Sequence, residues 1–234
     1  MRNIIYILIL ILLHSCSKSD IVWVTIGDSI TARDGEKFLS GSEKGNKIIG
    51  YQTLFTENKP YSITVKNEGY SGFSLSGNEK SIYQEVKDKN FSDADIVTIF
   101  VGTNDFKLNR PIISKDTLNS FRYCYSQLID KIKSQNNKTE IYLITPLKRN
   151  NDGYTSFSTN KVGLKLTDYR EEIINLGHEK NVKVIDMFLE SGIDEGNLFK
   201  YTVDGLHPNN EGYLKINDVL NHNIIITNPK VGSL

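Results

Sequence analysis

The 234-residue chain is sparing with the residues that would tie it to a metal, a redox couple or a polyanion. It has two cysteines, four histidines and one tryptophan. Its 28 basic and 28 acidic side chains cancel, so no field of one sign draws it to nucleic acid or anionic lipid. No Cys/His spacing suits zinc, and His-Glu-x-x-His, the P-loop and the dinucleotide-binding fingerprint are all missing. Chemistry without metal or cofactor is therefore expected. No apolar stretch reaches the roughly 18 residues of a membrane span. Internal repeats, low-complexity segments and linkers are also lacking. The rest is ordinary, with 38% hydrophobic and 24% charged residues, which suits a globular chain able to bury a core.

The longest apolar run is short and terminal. Met1-Arg2-Asn3 is a basic start, Ile4 to Leu13 is unbroken, and Leu13-His14-Ser15-Cys16 closes it. Such a run fits the core of a signal peptide. Leu-x-Ser-Cys resembles the bacterial lipobox, with His14 in place of the usual small residue. That resemblance implies a signal peptide over residues 1–15 and a lipid on Cys16. It also implies a tether over 16–20 and an exported protein anchored to the cell envelope through Cys16; the rest, 21–234, is expected to form a single domain because its strands and helices alternate without a linker. Cys124 is then left without a disulfide partner. It lies among Phe121, Leu128 and Ile132 in a helical pattern, which predicts a buried structural thiol.

The element everything else is arranged around is Ile21-Val22-Trp23-Val24-Thr25-Ile26, a β-branched run that stops at Gly27-Asp28-Ser29. It reads as a buried strand delivering one hydroxyl to the rim of a sheet. Further strands are predicted at 62–66, 96–101, 141–145 and 182–186, the third continuously apolar as central parallel strands are. Helices are predicted at 48–55, 81–89, 167–180 and 211–222. Another, capped by Asp116 or Thr117, runs to about Ser134 on Leu118, Phe121, Tyr125, Leu128, Ile129 and Ile132. Loops are expected at 31–47 and 148–161, and irregular chain at 187–203. Ile224-Ile225-Ile226 fits either a short strand or packed coil. Strands alternating with helices indicate an α/β domain, a three-layer α/β/α sandwich around a five-stranded, mostly parallel sheet. Ligands of such sheets bind beyond the carboxyl ends of the strands. Gly27-Asp28-Ser29, the turn Asn67–Gly72 and Gly102-Thr103-Asn104-Asp105 all follow strands.

A serine hydroxyl needs a base, and histidine is the base suited to neutral pH. His178 and His222 lie near helix ends, where their polar rings reach solvent. His207 sits in a turn three residues after Asp204, a spacing that lets the carboxylate hold Nδ1–H and leaves Nε2 for Ser29. The same pair also suits a helix cap, with Asp204 as capping acid and Pro208 in the first turn. Oxyanion donors are on offer from the Ser29 N–H, a glycine N–H of the 67–72 turn and the Asn104 amide. Asn104 equally suits an Asx turn.

Gly27-Asp28-Ser29-Ile30, Gly69-x-Ser71-Gly72, Gly102-x-Asn104-Asp105 and Asp204-x-x-His207-Pro208 together resemble the four ordered motifs of the SGNH, or GDSL-type, hydrolases. The resemblance implies a flavodoxin-like sheet and a serine esterase. It assigns Ser29 as nucleophile, His207 as base and Asp204 as its orienter, with Gly72, Asn104 and Ser29 as oxyanion donors and Gly69 as the adjacent alternative to Gly72. No Gly-x-Ser-x-Gly elbow of the α/β-hydrolase kind is present. The rim loops are polar, with scattered aromatics at Phe38, Tyr154 and Phe157, and no long apolar lid is visible. A monomer that deacetylates a glycan or another small ester is therefore expected. The alternatives are a lysophospholipase or thioesterase, an acetyltransferase, and a non-catalytic glycan-binding lipoprotein.

Overall fold

The computed structural model describes residues 21–57 and 59–226. The leader and Cys16 lie outside the described residues, as does the chain after Ile226. β1 (Ile21–Gly27) is followed by α1 (Ser29–Ala32) and α2 (Tyr51–Thr56), then β2 (Ile63–Gly69), α3 (Ile82–Val86), β3 (Ile96–Phe100) and α4 (Thr103–Lys107). A single 3₁₀ turn at Thr117–Asn119 precedes α5 (Phe121–Gln135) and β4 (Glu140–Ile144). A two-strand hairpin follows, β5 (Asn150–Asn151) and β6 (Tyr154–Thr155), and then α6 (Leu166–Lys180), β7 (Lys183–Ile185), α7 (Met187–Glu190), α8 (Leu198–Tyr201) and α9 (Asn210–Asn223).

The five main strands pair in the order β2-β1-β3-β4-β7, and every pairing is parallel. Successive strand side chains point to opposite faces, and here both faces are apolar. Val24, Ile26, Val97, Ile99, Ile141 and Leu143 meet α3, α5 and α6 through residues such as Ile82, Phe121, Leu128 and Ile173. Ile21, Trp23, Ile96, Phe100, Tyr142 and Ile144 meet α2 and α9 through Tyr51, Phe55, Tyr213 and Ile216. Covering on both faces is what an all-parallel sheet requires. The order reverses between β1 and β3, so a crevice opens beyond their carboxyl ends.

Several elements differ from expectation. β2 runs on through Asn67, Glu68 and Gly69, because Gly27 pairs with Gly69 in the ladder; the turn begins only at Tyr70. Neither Asp116 nor Thr117 caps α5. Ser120 does, its hydroxyl accepting the Tyr123 N–H at 3.3 Å, and the chain before it tightens into the 3₁₀ turn. The 187–203 segment carries two one-turn helices seated by buried Met187, Phe188 and Leu198. Ile224 packs into the core as coil. Among the described residues no helix is long and apolar enough to cross a membrane.

Candidate active site at the β1–β3 crevice

The site is built on two close approaches. A Cβ on Gly27 would lie 2.1 Å from Thr31 Oγ1 and 2.9 Å from the Phe100 carbonyl oxygen. One on Gly69 would lie 2.3 Å from the Ala32 nitrogen. Only glycine lets α1 sit down on the ends of β1, β2 and β3. Asp28 caps that helix, Oδ1 accepting the Ile30 N–H at 2.9 Å, and Ser29 is its first residue. The carbonyl of Thr31 is held by Gln52 Nε2 at 2.7 Å and Asn67 Nδ2 at 3.0 Å. Tyr213 Oη donates to the Ile30 carbonyl at 3.0 Å. The serine therefore stands on a fully tied turn.

Ser29 Oγ lies 2.9 Å from His207 Nε2, and His207 Nδ1 lies 2.7 Å from Asp204 Oδ2. The other oxygen of Asp204 accepts the N–H groups of Leu206 at 3.0 Å and His207 at 2.8 Å. Burial pushes the Asp204 carboxyl up, but the hydrogen bonds from the His207 ring, its amide and the Leu206 amide outweigh it and hold the group at about 2. An ionised Asp204 fixes the proton on Nδ1 and leaves the Nε2 lone pair facing the serine hydroxyl. The helix-cap reading of Asp204 does not hold. α9 is capped by Asn209, whose Oδ1 accepts the Gly212 N–H at 2.9 Å.

Asp28 is the opposite case. Desolvation raises it to about 6, against lowering by the Ile30 N–H and the nearby His207. Two carboxylates at one site are thus driven apart, the one bonded to His207 by hydrogen bonds and the one beneath Ser29 by burial.

The Gly69 N–H is consumed by Asn67 Oδ1 at 3.0 Å, which removes it as an oxyanion donor. Gly72 sits at φ +79° with open space where a side chain would be. Asn104 does not form a local Asx turn. Its Nδ2 donates to the Phe73 carbonyl at 2.8 Å, which ties it to the residue after Gly72 and leaves its second amide hydrogen available.

Asp105 closes the Gly102-x-Asn104-Asp105 motif and has a structural part of its own. This buried carboxylate accepts the N–H of Leu75 at 2.8 Å, and the N–H and hydroxyl of Ser76 at 3.0 and 2.9 Å. It thereby moors the loop that carries Phe73. Its adjacency to Asn104 in the Gly-x-Asn-Asp motif was the available signal. Burial raises its pKa.

Of the rim aromatics, Phe38 is buried in the core and Tyr154 packs edge-on against Phe106; only Phe157 is largely exposed. Cys124 is buried, with its thiol pushed up to about 12 by desolvation. His222 bonds its own helix at the Asp218 carbonyl, and His178 is exposed on α6. Among the described residues no group of three or more His, Cys, Asp or Glu gathers as a metal site.

The profile of the GDSL-like Lipase/Acylhydrolase family matches residues 25–215. No curated protein matches the sequence significantly. Among solved structures, a protein from Lactobacillus plantarum superposes with a TM-score of 0.72 at 22% identity, covering 88% of this chain and 98% of that one. A lipase/acylhydrolase from Enterococcus faecalis gives 0.61 at 21% identity, covering 86% and 93%. A mutant of an acetyl-xylooligosaccharide esterase from Geobacillus Stearmophilus gives 0.62 at 17%, covering 88% and 95%.

Asp204 ionises near 2 in the folded chain, below its ordinary 3.8. Its contribution to stability is therefore fully present above about pH 4 and disappears as pH falls through 2. Asp204→Asn is expected to lower stability at neutral pH by about 1–2 kcal/mol, allowing for partial exposure. The deficit should shrink between pH 4 and pH 2, as urea unfolding across that range will measure.

Proposed function

Because the chain belongs to the GDSL-like lipase/acylhydrolase family, we propose that it is a serine carboxylic ester hydrolase that removes acetyl groups from carbohydrate. The observation that carries this reading is the unbroken hydrogen-bond chain from Ser29 through His207 to Asp204.

Ser29 Oγ attacks the ester carbonyl carbon while His207 Nε2 takes its proton. The negative charge that develops on the carbonyl oxygen meets the N–H of Ser29, the N–H of Gly72 and the free hydrogen of Asn104 Nδ2. The imidazolium is stabilised by Asp204. It then returns the proton to the departing alkoxide, leaving an acyl group on Ser29. Water enters, and as His207 takes its proton the water oxygen attacks the acyl carbon; the bond to Ser29 Oγ then breaks, and His207 returns the proton to that oxygen. The acid departs. Ser29 and Gly72 suit the donor role because neither N–H has an acceptor among the described residues.

A short acyl group is favoured because the surface beside Asp28, lined by Ile30, Phe100, Thr103, Leu147 and Leu206 among others, leaves no interior space that a long chain could enter. A sugar is favoured by the polar loops at 31–47 and 148–161 with Phe157 exposed among them. The acetyl-xylooligosaccharide esterase among the structural neighbours shares this fold. Export and a lipid on Cys16 belong to the same proposal and rest on the leader sequence.

Ser29→Ala is expected to remove at least about 10³-fold of kcat on an aryl acetate and all labelling by a fluorophosphonate, while the protein stays folded. Undiminished turnover would overturn the assignment. In a series of esters of one alcohol, acetate should be hydrolysed faster than dodecanoate; the reverse order would indicate a lipid substrate. Mass spectrometry of the protein from membranes should find Cys16 lipidated as the first residue, and Cys16→Ser should release an unlipidated form.

A further inference from the structure

The base of the proposed triad stands on a loop, whereas Ser29 and Asn104 stand at strand ends. Something must hold that loop in register with the sheet. The 148–161 segment, which the sequence offered only as a polar loop, does this through backbone and side-chain bonds. Asn151 Nδ2 donates to the Asp204 carbonyl at 2.9 Å. The Asn150 N–H donates to the Gly205 carbonyl at 2.7 Å. Contact there is close enough that a Cβ on Gly205 would lie 1.9 Å from the Asn150 oxygen.

The same end of the segment is tied to α4 by the side chain of Arg149, which is 1% exposed. Its Nη1 donates to the carbonyl and hydroxyl oxygens of Thr103 at 3.1 and 3.0 Å. Its Nη2 donates to the Asn151 carbonyl at 3.2 Å. The guanidinium lies 5.8 Å from the Phe106 ring, and Nε finds no partner. Burying a cation that, among the described residues, feels Asp152, Asp28 and Asp204 only through space and bonds no carboxylate is costly, and simple core packing does not call for it. What the guanidinium does is join the first residue of α4, next to Asn104, to the hairpin that grips Asp204.

We propose that Arg149 and Asn151 are positioning residues: a strut that sets the distance between the oxyanion donor on α4 and the Asp204–His207 pair. This rests on the esterase reading above. Neither residue touches the reacting atoms, and each acts through a neighbour that does.

The test is Asn151→Ala, supported by Arg149→Lys, which keeps the charge but loses the two-armed geometry. Both variants are assayed on an aryl acetate and by proton NMR of the His207 Nδ1–H. For Asn151→Ala we expect kcat to fall roughly ten- to a hundredfold with KM within about twofold, because misplacing a catalytic group costs rate rather than affinity. The Nδ1 proton should broaden or exchange faster, and the melting temperature should change little. Arg149→Lys should move the same quantities the same way. Wild-type kcat together with an unchanged Nδ1 signal would overturn the strut. So would a kcat deficit that vanishes on cooling to a temperature where the variant is fully folded. If the wild-type protein hydrolyses no ester, the functional reading fails by itself, and the Nδ1 signal then decides the strut alone.

Discussion

The close packing of α1 onto the end of β1 is the constraint the site depends on. Gly27 and Gly69 have neighbours within 2.1 and 2.3 Å of where a side chain would begin, so the turn after β1 can be neither wider nor looser. Its tightness leaves the Ser29 N–H outside the ladder of helical hydrogen bonds, as the first amide of any helix must be. The same turn presents the hydroxyl toward His207. One steric fact therefore places both the Ser29 hydroxyl and an unpaired N–H, and it does so at the reversal of strand order where a parallel sheet leaves a crevice.

The electrostatics follow from that geometry. Asp28 is forced inward by the same turn, and desolvation raises it to about 6. Asp204 is also partly removed from water, yet three hydrogen bonds hold it at about 2. Residue type does not separate these carboxylates; complete burial raises Asp28, and the N–H groups aimed at the less buried Asp204 lower it. Asp204 uses one oxygen to fold its own turn and the other to orient the ring, so turn formation and imidazole alignment are a single event.

What was legible in the sequence was whatever depends on local pattern. Continuous β-branched runs gave the strands, because a sheet covered on both faces demands apolar residues at every position. The ordered motifs gave Ser29, Asn104, Asp204 and His207, because each lies at a strand end or turn whose chemistry is short-range. What was not legible depends on distant contacts. The Asn67–Gly69 segment looks like a turn but is held in β2 by pairing with β1. Phe38 sits in a polar loop yet is drawn into the core by packing that no local pattern announces. The choice between Gly69 and Gly72 rested on which amide was already occupied, and only the Asn67 side chain answers that.

The two halves of the site are held by different physics. Ser29 and Asn104 inherit their places from the sheet, whose hydrogen-bond ladders and two apolar faces resist displacement. His207 has no strand beneath it. Its loop is closed by the Val203 N–H to the His207 carbonyl at 2.9 Å, and by the Gly205 N–H to Thr202 Oγ1 at 3.0 Å. It is gripped from outside by Asn150 and Asn151. Polar bonds of that kind contribute modestly each, and their value is directional. A loop fixed by several such bonds can place a ring to a fraction of an ångström while staying free to vary in sequence on its exposed side. That division explains how a polar surface segment, read from the sequence as a loop, comes to hold the turn that carries His207.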